Sequence, residues 1–216
     1  PSTHIVKPGV RAVQRQALIE HVTMRVAEAL GLDVAETSYV DFGSERAIVV
    51  TRFDRFAGTG GALVRRHQED LCQAQGNPQP YEAYGGPGVA DISALLADQS
   101  ATAVQARENL SAFAEAVVFQ TIVGAPDAHA RNVSVMLDGQ TVRLAPMYDA
   151  ASAFAYRSTD ARVLSMSVGG SFRIGELSAD HWRRFAQDAR QDEAAVLDRV
   201  AEMAALGPDV AATALE

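Results

Sequence analysis

The tightest constraint on the fold lies between Val133 and Ala145. Val133-Ser-Val-Met-Leu137 and Thr141-Val-Arg-Leu-Ala145 are apolar, β-prone runs on either side of Asp138-Gly139, a pair suited to a type I′ turn. Such a stretch folds as a hairpin, and a hairpin returns the chain to where it left. Asn132 before it and Asp149 after it are therefore expected close together. Two oxygen ligands at one place, with phosphate oxygens and water completing the shell, suit Mg²⁺.

The residues leading into the hairpin sharpen this. Asp127-Ala-His-Ala-Arg-Asn132 has the Asp-x-x-x-x-Asn spacing of a kinase catalytic loop. In that arrangement the Asp accepts the proton of the attacking hydroxyl and the Asn ligates magnesium. A hairpin then delivers a second metal-binding Asp, here Asp149 of Pro146-Met147-Tyr148-Asp149. The spacing alone is weak, because six-residue patterns of common residues arise by chance; the hairpin and Asp149 make the combination specific. His129 is a candidate for holding Asp127 or touching phosphate.

The 19 basic residues include a single lysine, Lys7, in the apolar run His4-Ile5-Val6-Lys7. A compact ammonium on a strand can reach phosphate as a point charge where a planar guanidinium cannot fit. From Ala17 to Leu30, Leu18, Val22, Val26, Ala29 and Leu30 recur at helical spacing and Gly31 supplies the stop. Glu20, in the first turn of that helix, is the partner expected to orient Lys7 in the kinase manner. A carboxylate there also suits the helix dipole on its own account.

At 216 residues the chain is one large domain or two small ones, and 48% hydrophobic with 21% charged content is ordinary for a globular protein. A net charge of −8 argues against non-specific nucleic-acid binding. The lone Cys72 excludes an internal disulfide or a Cys-rich metal site and favours a reducing, cytoplasmic setting. No apolar run is long enough to span a bilayer, so no membrane role is expected.

The expected fold class is α+β. Residues 1–65 read as a small lobe: strand 4–7, helix 17–30, a buried strand Ala47-Ile-Val-Val50, and a turn at Ala57–Gly61 joining two strands. Residues 66–216 read as mainly helical. They hold a loop from Gln75 to Gly88, a short helix from Ala90 to Ala97, and a long helix from Val104 to Val123 with Leu110, Phe113, Val117 and Thr121 on one face. After the hairpin come helices starting near Ser178, with Trp182 and Phe185 inward, and near Asp192, with Gly207-Pro208 as the stop.

Assembled, these segments closely resemble the HipA family of toxin kinases. Thr3-His4-Ile5-Val6-Lys7-Pro8 is similar to its ATP-lysine strand and Arg52-Phe53-Asp54-Arg55 to its hinge. His67-Gln68-Glu69-Asp70-Leu71-Cys72-Gln73 and Tyr84-Gly85-Gly86-Pro87-Gly88 resemble its Gln-Glu-Asp and Gly-Gly-Pro-Gly segments. Gly124–Asn132, Leu144–Asp149 and Met166–Gly170 complete the match.

The resemblance implies a protein-kinase-like fold and a bacterial Ser/Thr kinase of a toxin–antitoxin pair using ATP and Mg²⁺. Such kinases phosphorylate an aminoacyl-tRNA synthetase, typically glutamyl-tRNA synthetase, causing growth arrest and persistence. A HipB-like helix-turn-helix antitoxin would neutralise the toxin, with DNA reached only through it. Asp127 would be the base, with Lys7, Asn132 and His129 also catalytic. Lys7, Glu20, Thr51, Phe53, His129, Tyr148 and Asp149 would hold the nucleotide, the backbone of Thr51 and Phe53 taking adenine. Asn132 and Asp149 would bind the metal, and Gln68, Glu69 and Asp70 the protein substrate.

Thr51 stands where the family often has Glu, which a backbone contact tolerates. The family's Gly-rich phosphate loop lies upstream of the lysine, whereas this chain opens at Pro1 with six residues before Lys7. Upstream segments, or a separate chain, are expected to supply that loop. The alternative class is a kinase-like module that binds an antitoxin or target without catalysis. A metal-dependent phosphoesterase using Asp127, His129 and Asp149 would need further His ligands, and none stands at suitable spacing.

Overall fold

The computed structural model describes residues 2–9, 15–156 and 163–213. Lys7 ends strand β1 (His4–Lys7), which pairs antiparallel with β3 (Glu45–Thr51). The opposite side of β3 pairs with β2 (Thr37–Phe42), a strand that the sequence reading does not contain. Its residues are exposed or half-buried on both faces, so no apolar alternation marks it. Helix α1 (Gln16–Ala29) packs on this sheet, burying Ala17, Met24 and Ala27 at helical spacing, with Glu20 and Thr23 on the same stripe.

Strands β4 (Arg55–Ala57) and β5 (Leu63–Arg65) flank the expected turn, which includes the helical turn Thr59–Gly61. Immediately after comes β6 (His67–Asp70), within a run that reads as solvated polar surface. It is a strand because it pairs with the central strand of another sheet. That sheet has β7 (Ser134–Asp138) in the middle and β8 (Thr141–Leu144) on the far side.

The β7–β8 hairpin forms as expected, with a different turn. Asp138 pairs with Thr141, so Gly139-Gln140 is the loop. Only Gly139 there has positive φ, 62°. A type I′ turn needs both central residues in that region, whereas glycine at the first central position is the type II′ choice.

Helices α2 (Leu71–Gln75) and α4 (Ala103–Ile122) pack on this sheet, and α3 (Val89–Gln99) packs on α4. Leu110, Phe113, Val117 and Thr121 are buried along α4, with Phe113 and Phe119 fully enclosed. Asn109 on α4 covers the free edge of β8. Its amide nitrogen donates to the Val142 carbonyl and its amide oxygen accepts from the Leu144 N–H, both at 2.8 Å. The side chain thus does the work of a missing strand.

Strands β9 (Val163–Val168) and β10 (Ser171–Arg173) form a further hairpin, which is not among the elements expected from sequence. Helix α5 (Ala179–Asp188) follows Ser178 and buries Trp182 and Phe185. Helix α6 (Glu193–Thr213) continues through Gly207-Pro208, where a stop was expected. Val210 and Ala211, beyond the proline, pack against the core, so tertiary contact carries the helix past a residue that weakens it locally.

Candidate active site

Two segments, helix α1 and the stretch after the β7–β8 hairpin, converge on Lys7. Its ammonium lies 2.8 Å from Oε1 of Glu20 on α1 and also bridges to Oδ1 of Asp149. Glu20 is 5% exposed. Burial pulls the Lys7 ammonium down, but hydrogen bonds and charge from Asp149 and Glu20 outweigh it and leave its pKa above the ordinary value. Burial likewise pushes the Glu20 carboxyl up, and the shared lysine does not fully compensate.

Asp149 arrives by a chain of anchors. Residues 33–35 clamp the preceding Met147: its N–H donates to the Asp33 carbonyl at 2.8 Å and its carbonyl accepts from Ala35 at 2.9 Å. The next residue, Tyr148, donates its hydroxyl to the Arg131 carbonyl at 2.9 Å and lies 2.6 Å from the Ser134 hydroxyl. Burial drives the Tyr148 phenol up to about 12. Asp149 itself sits at φ 58°, a left-handed conformation that non-glycine residues hold only when their surroundings impose it.

Tyr148 also brings Asp149 to the segment that carries Asn132. Asn132 is 8% exposed and its amide nitrogen donates to the Asp127 carbonyl at 2.7 Å. That leaves the amide oxygen of Asn132 as one hard donor, and the half-exposed Asp149 carboxylate is another. The pair fits Mg²⁺, which takes few protein oxygens and keeps water and phosphate in its remaining positions. Among the described residues no group of three or more His, Cys, Asp or Glu forms a metal cluster.

Asp127 is the exposed member, its side chain 67% accessible. Oδ1 accepts from the Tyr81 hydroxyl at 3.0 Å and lies 3.5 Å from Nε2 of His129. His129 thus stands beside Asp127, as one of its two expected roles requires.

Thr51, Phe53 and Gln68 line a cleft of about 120 Å³ together with Lys7, Tyr148 and Asp149. The Thr51 N–H is spent on the Glu36 carbonyl at 2.9 Å. The Phe53 ring leans on Tyr148 with centroids 5.6 Å apart. Glu69 and Asp70 do not line this cleft. Glu69 pairs with His67 at 3.3 Å, and Asp70 caps α2 by accepting from the Gln73 N–H at 2.9 Å. A larger cleft of about 700 Å³ runs along α4 and reaches Asn132, Ser134 and Tyr148. Lys7, Glu20 and Asp127 are outside it, so volume is no guide to the chemistry here.

Two residues were missed from sequence. Tyr81 had no local signal, since an aromatic in a Pro- and Gly-rich loop reads as packing. Asp54 had one: it stands between Arg52 and Arg55. It is 2% exposed, accepts two hydrogen bonds from Arg52 at 2.9 Å and also pairs with Arg55. Burial alone would push its carboxyl up, and the two guanidinium groups more than reverse that. This pairing braces the backbone around Phe53.

A sheet whose lysine meets a helix glutamate and the aspartate that follows the β7–β8 hairpin, joined to a mainly helical part, defines a protein-kinase-like α+β fold. Residues 1–210 match the HipA-like C-terminal domain family, and the chain belongs to that family. It is 35% identical over 190 residues to the proposed kinase Y4mE of Sinorhizobium fredii, covering 87% of this chain and 44% of that protein. It is 33% identical over 184 residues to the serine/threonine-protein kinase toxin HipA of Shewanella oneidensis, covering 79% and 41%.

Among solved structures, S. oneidensis HipA in complex with HipB and operator DNA superposes with a TM-score of 0.87 at 26% identity, over 99% of this chain and 52% of that one. The Helicobacter pylori proinflammatory kinase CtkA shares the fold alone, with a TM-score of 0.58 at 15% identity over 99% and 88%. The chain spans less than half the length of these curated relatives.

Proposed function

We propose that this chain is the lysine-bearing and catalytic portion of a HipA-type Ser/Thr kinase toxin, transferring the ATP γ-phosphoryl group to a protein hydroxyl. The observation that carries the reading is the Lys7 ammonium held between Glu20 and Asp149, in a site that Tyr148 ties to the Asp127–Asn132 loop. Membership of the family supports it.

In this reading the substrate hydroxyl oxygen bonds to the γ-phosphorus while the bond from that phosphorus to the β–γ bridging oxygen breaks. The hydroxyl proton passes to Asp127 and ADP leaves. Lys7, oriented by Glu20, neutralises phosphate charge, and the backbone from Thr51 to Phe53 takes the adenine ring. Mg²⁺, held by Asn132 Oδ1 and Asp149, would supply charge neutralisation at the phosphates. Positioning and electrostatics do most of the work, because phosphoryl transfer asks little covalent chemistry of the protein.

The finer reading adds an aminoacyl-tRNA synthetase such as glutamyl-tRNA synthetase as target, with growth arrest and persistence as the outcome. It also adds a HipB-like helix-turn-helix antitoxin that alone contacts DNA. The S. oneidensis relative, solved with HipB and operator DNA, supports the antitoxin. The test is ATP-dependent autophosphorylation or transfer by the full-length protein against Asp127→Asn. A fall of about 10²–10⁴-fold is expected on losing a general base. Equal activity in both proteins would overturn the mechanism, and no activity in either would favour a non-catalytic binding module.

A further inference from the structure

A free Asp127 carboxylate, exposed as it is, would turn among rotamers and present either oxygen to a substrate. Here one oxygen is taken. The Tyr81 hydroxyl donates to Oδ1 at 3.0 Å, and His129 Nε2 stands 3.5 Å from the same atom. The two rings brace each other edge to face, centroids 4.9 Å apart at 90°. No hydrogen bond reaches Oδ2 among the described residues.

The loop bearing Tyr81 is pinned to the catalytic loop on one side and to β9 on the other. Pro80 accepts from the Ala130 N–H at 3.2 Å, and Pro78 accepts from the Arg131 side chain at 2.6 Å. Glu82, directly after Tyr81, accepts from both the N–H and hydroxyl of Ser167, at 2.6 and 2.7 Å. Within the loop the Gly86 N–H donates to the Tyr81 carbonyl at 2.9 Å. A Cβ on Gly86 would lie 2.5 Å from the Gln79 carbonyl oxygen and 2.8 Å from the Tyr81 carbonyl carbon. The Gly-Gly-Pro-Gly tract therefore has a local purpose: it lets the loop close tightly enough to hold Tyr81 in place.

We propose that Tyr81 is the positioning residue of the catalytic base, holding Asp127 by Oδ1 so that Oδ2 faces the substrate hydroxyl. This rests on the kinase reading above. Tyr81 touches neither substrate nor nucleotide in this scheme and acts only through Asp127. A misplacement of about 1 Å at a reacting group can cost about 10²-fold in rate.

The experiment uses the full-length protein and compares Tyr81→Phe, Asp127→Asn and the double variant in ATP-dependent phosphorylation. Phe keeps the ring against His129 and removes only the hydroxyl. The expected result is a kcat lower by about 10–100-fold, with KM for ATP and the melting temperature unchanged. The double variant should be no slower than Asp127→Asn alone, since a positioning residue has nothing to position once the base is gone. Wild-type kcat in Tyr81→Phe would overturn the proposal, as would a loss that multiplies on top of Asp127→Asn.

Should Tyr81→Phe fold poorly, Gly86→Ala decides, because it keeps the phenol but denies the loop its closure. The same kcat loss at unchanged KM supports the proposal, and wild-type kcat overturns it. Failure of the kinase reading shows differently, as an Asp127→Asn protein with the wild-type rate.

Discussion

The Tyr148 hydroxyl donates to the Arg131 carbonyl at 2.9 Å, joining the residue before Asp149 to the residue before Asn132. With the Ser134 contact, this bond ties the two ends of the β7–β8 hairpin, from which the two proposed metal ligands project. Tyr148→Phe breaks it and leaves the carbonyl without its donor. The expected cost at neutral pH is about 1–3 kcal/mol, read as a lower urea midpoint.

The same residue sets an alkaline limit. Its phenol is raised to about 12 from an ordinary 10.0. The folded state thus keeps a proton that the unfolded chain releases. The associated stability is complete below pH 10 and is lost as pH rises through about 12, up to about 3 kcal/mol. Tyr148→Phe should flatten the decline between those values, a difference that urea melts at pH 9 and 11.5 would reveal. Parallel slopes in the two proteins would refute it.

Lys7→Arg keeps the charge and changes its shape. A planar fork cannot lie 2.8 Å from buried Glu20 and also reach Asp149 as a point charge without moving the helix. ATP turnover by the full-length protein should fall by about 10²-fold or more. Near-wild-type turnover would return the chain's only lysine to coincidence.

Lys7→Met tests the partner. Glu20 is already held above its ordinary carboxylate value of 4.5 by burial, and without the ammonium it rises further. Its protonated form is then the one the fold prefers. The variant should lose stability as pH climbs above 4.5, more steeply than wild type, in denaturant melts from pH 4 to 7.

Asp54→Ala should be the most damaging single change near the cleft. It strands two half-buried guanidinium groups and removes the buried carboxylate between them, at a cost of about 3–5 kcal/mol, or about 10 °C in melting temperature. In wild type the folded carboxyl is below its ordinary 3.8, so its contribution is present above that value and fades as pH falls through it. The acid limb of a stability profile should be shallower in the variant.

Asn109→Ala uncovers the edge of β8, leaving the Leu144 N–H and the Val142 carbonyl without their partner. A loss of about 2–4 kcal/mol is expected, with faster amide exchange at Leu144.

Elements with an internal period were legible in the sequence. Helices α1 and α4 lie within a residue or two of where their apolar spacing put them, α3 within two of its expected bounds, and the β7–β8 hairpin formed between the two runs that flank Asp138-Gly139. Strand β6 was not legible, because His67-Gln-Glu-Asp70 has no buried face and is a strand only through its pairing with β7. The β9–β10 hairpin is short and irregular, with a register shift between Ser171 and Arg173. Pro208 misled for the opposite reason, a local stop overridden by packing farther along α6.

Residue types and spacings by themselves singled out Lys7, Glu20, Asp127, Asn132 and Asp149 as candidates, since each stands in a short local pattern. What they are to one another was decided in three dimensions. Lys7 meets Asp149 across 142 positions of sequence and Tyr81 meets Asp127 across 46. No local pattern encodes such pairs. They exist because residues 33–35 clamp Met147, and because the loop through Gly86 closes onto the Asp127–Asn132 segment. Local sequence chooses elements through backbone sterics and side-chain period, whereas the pairing of charges waits on which elements share a core.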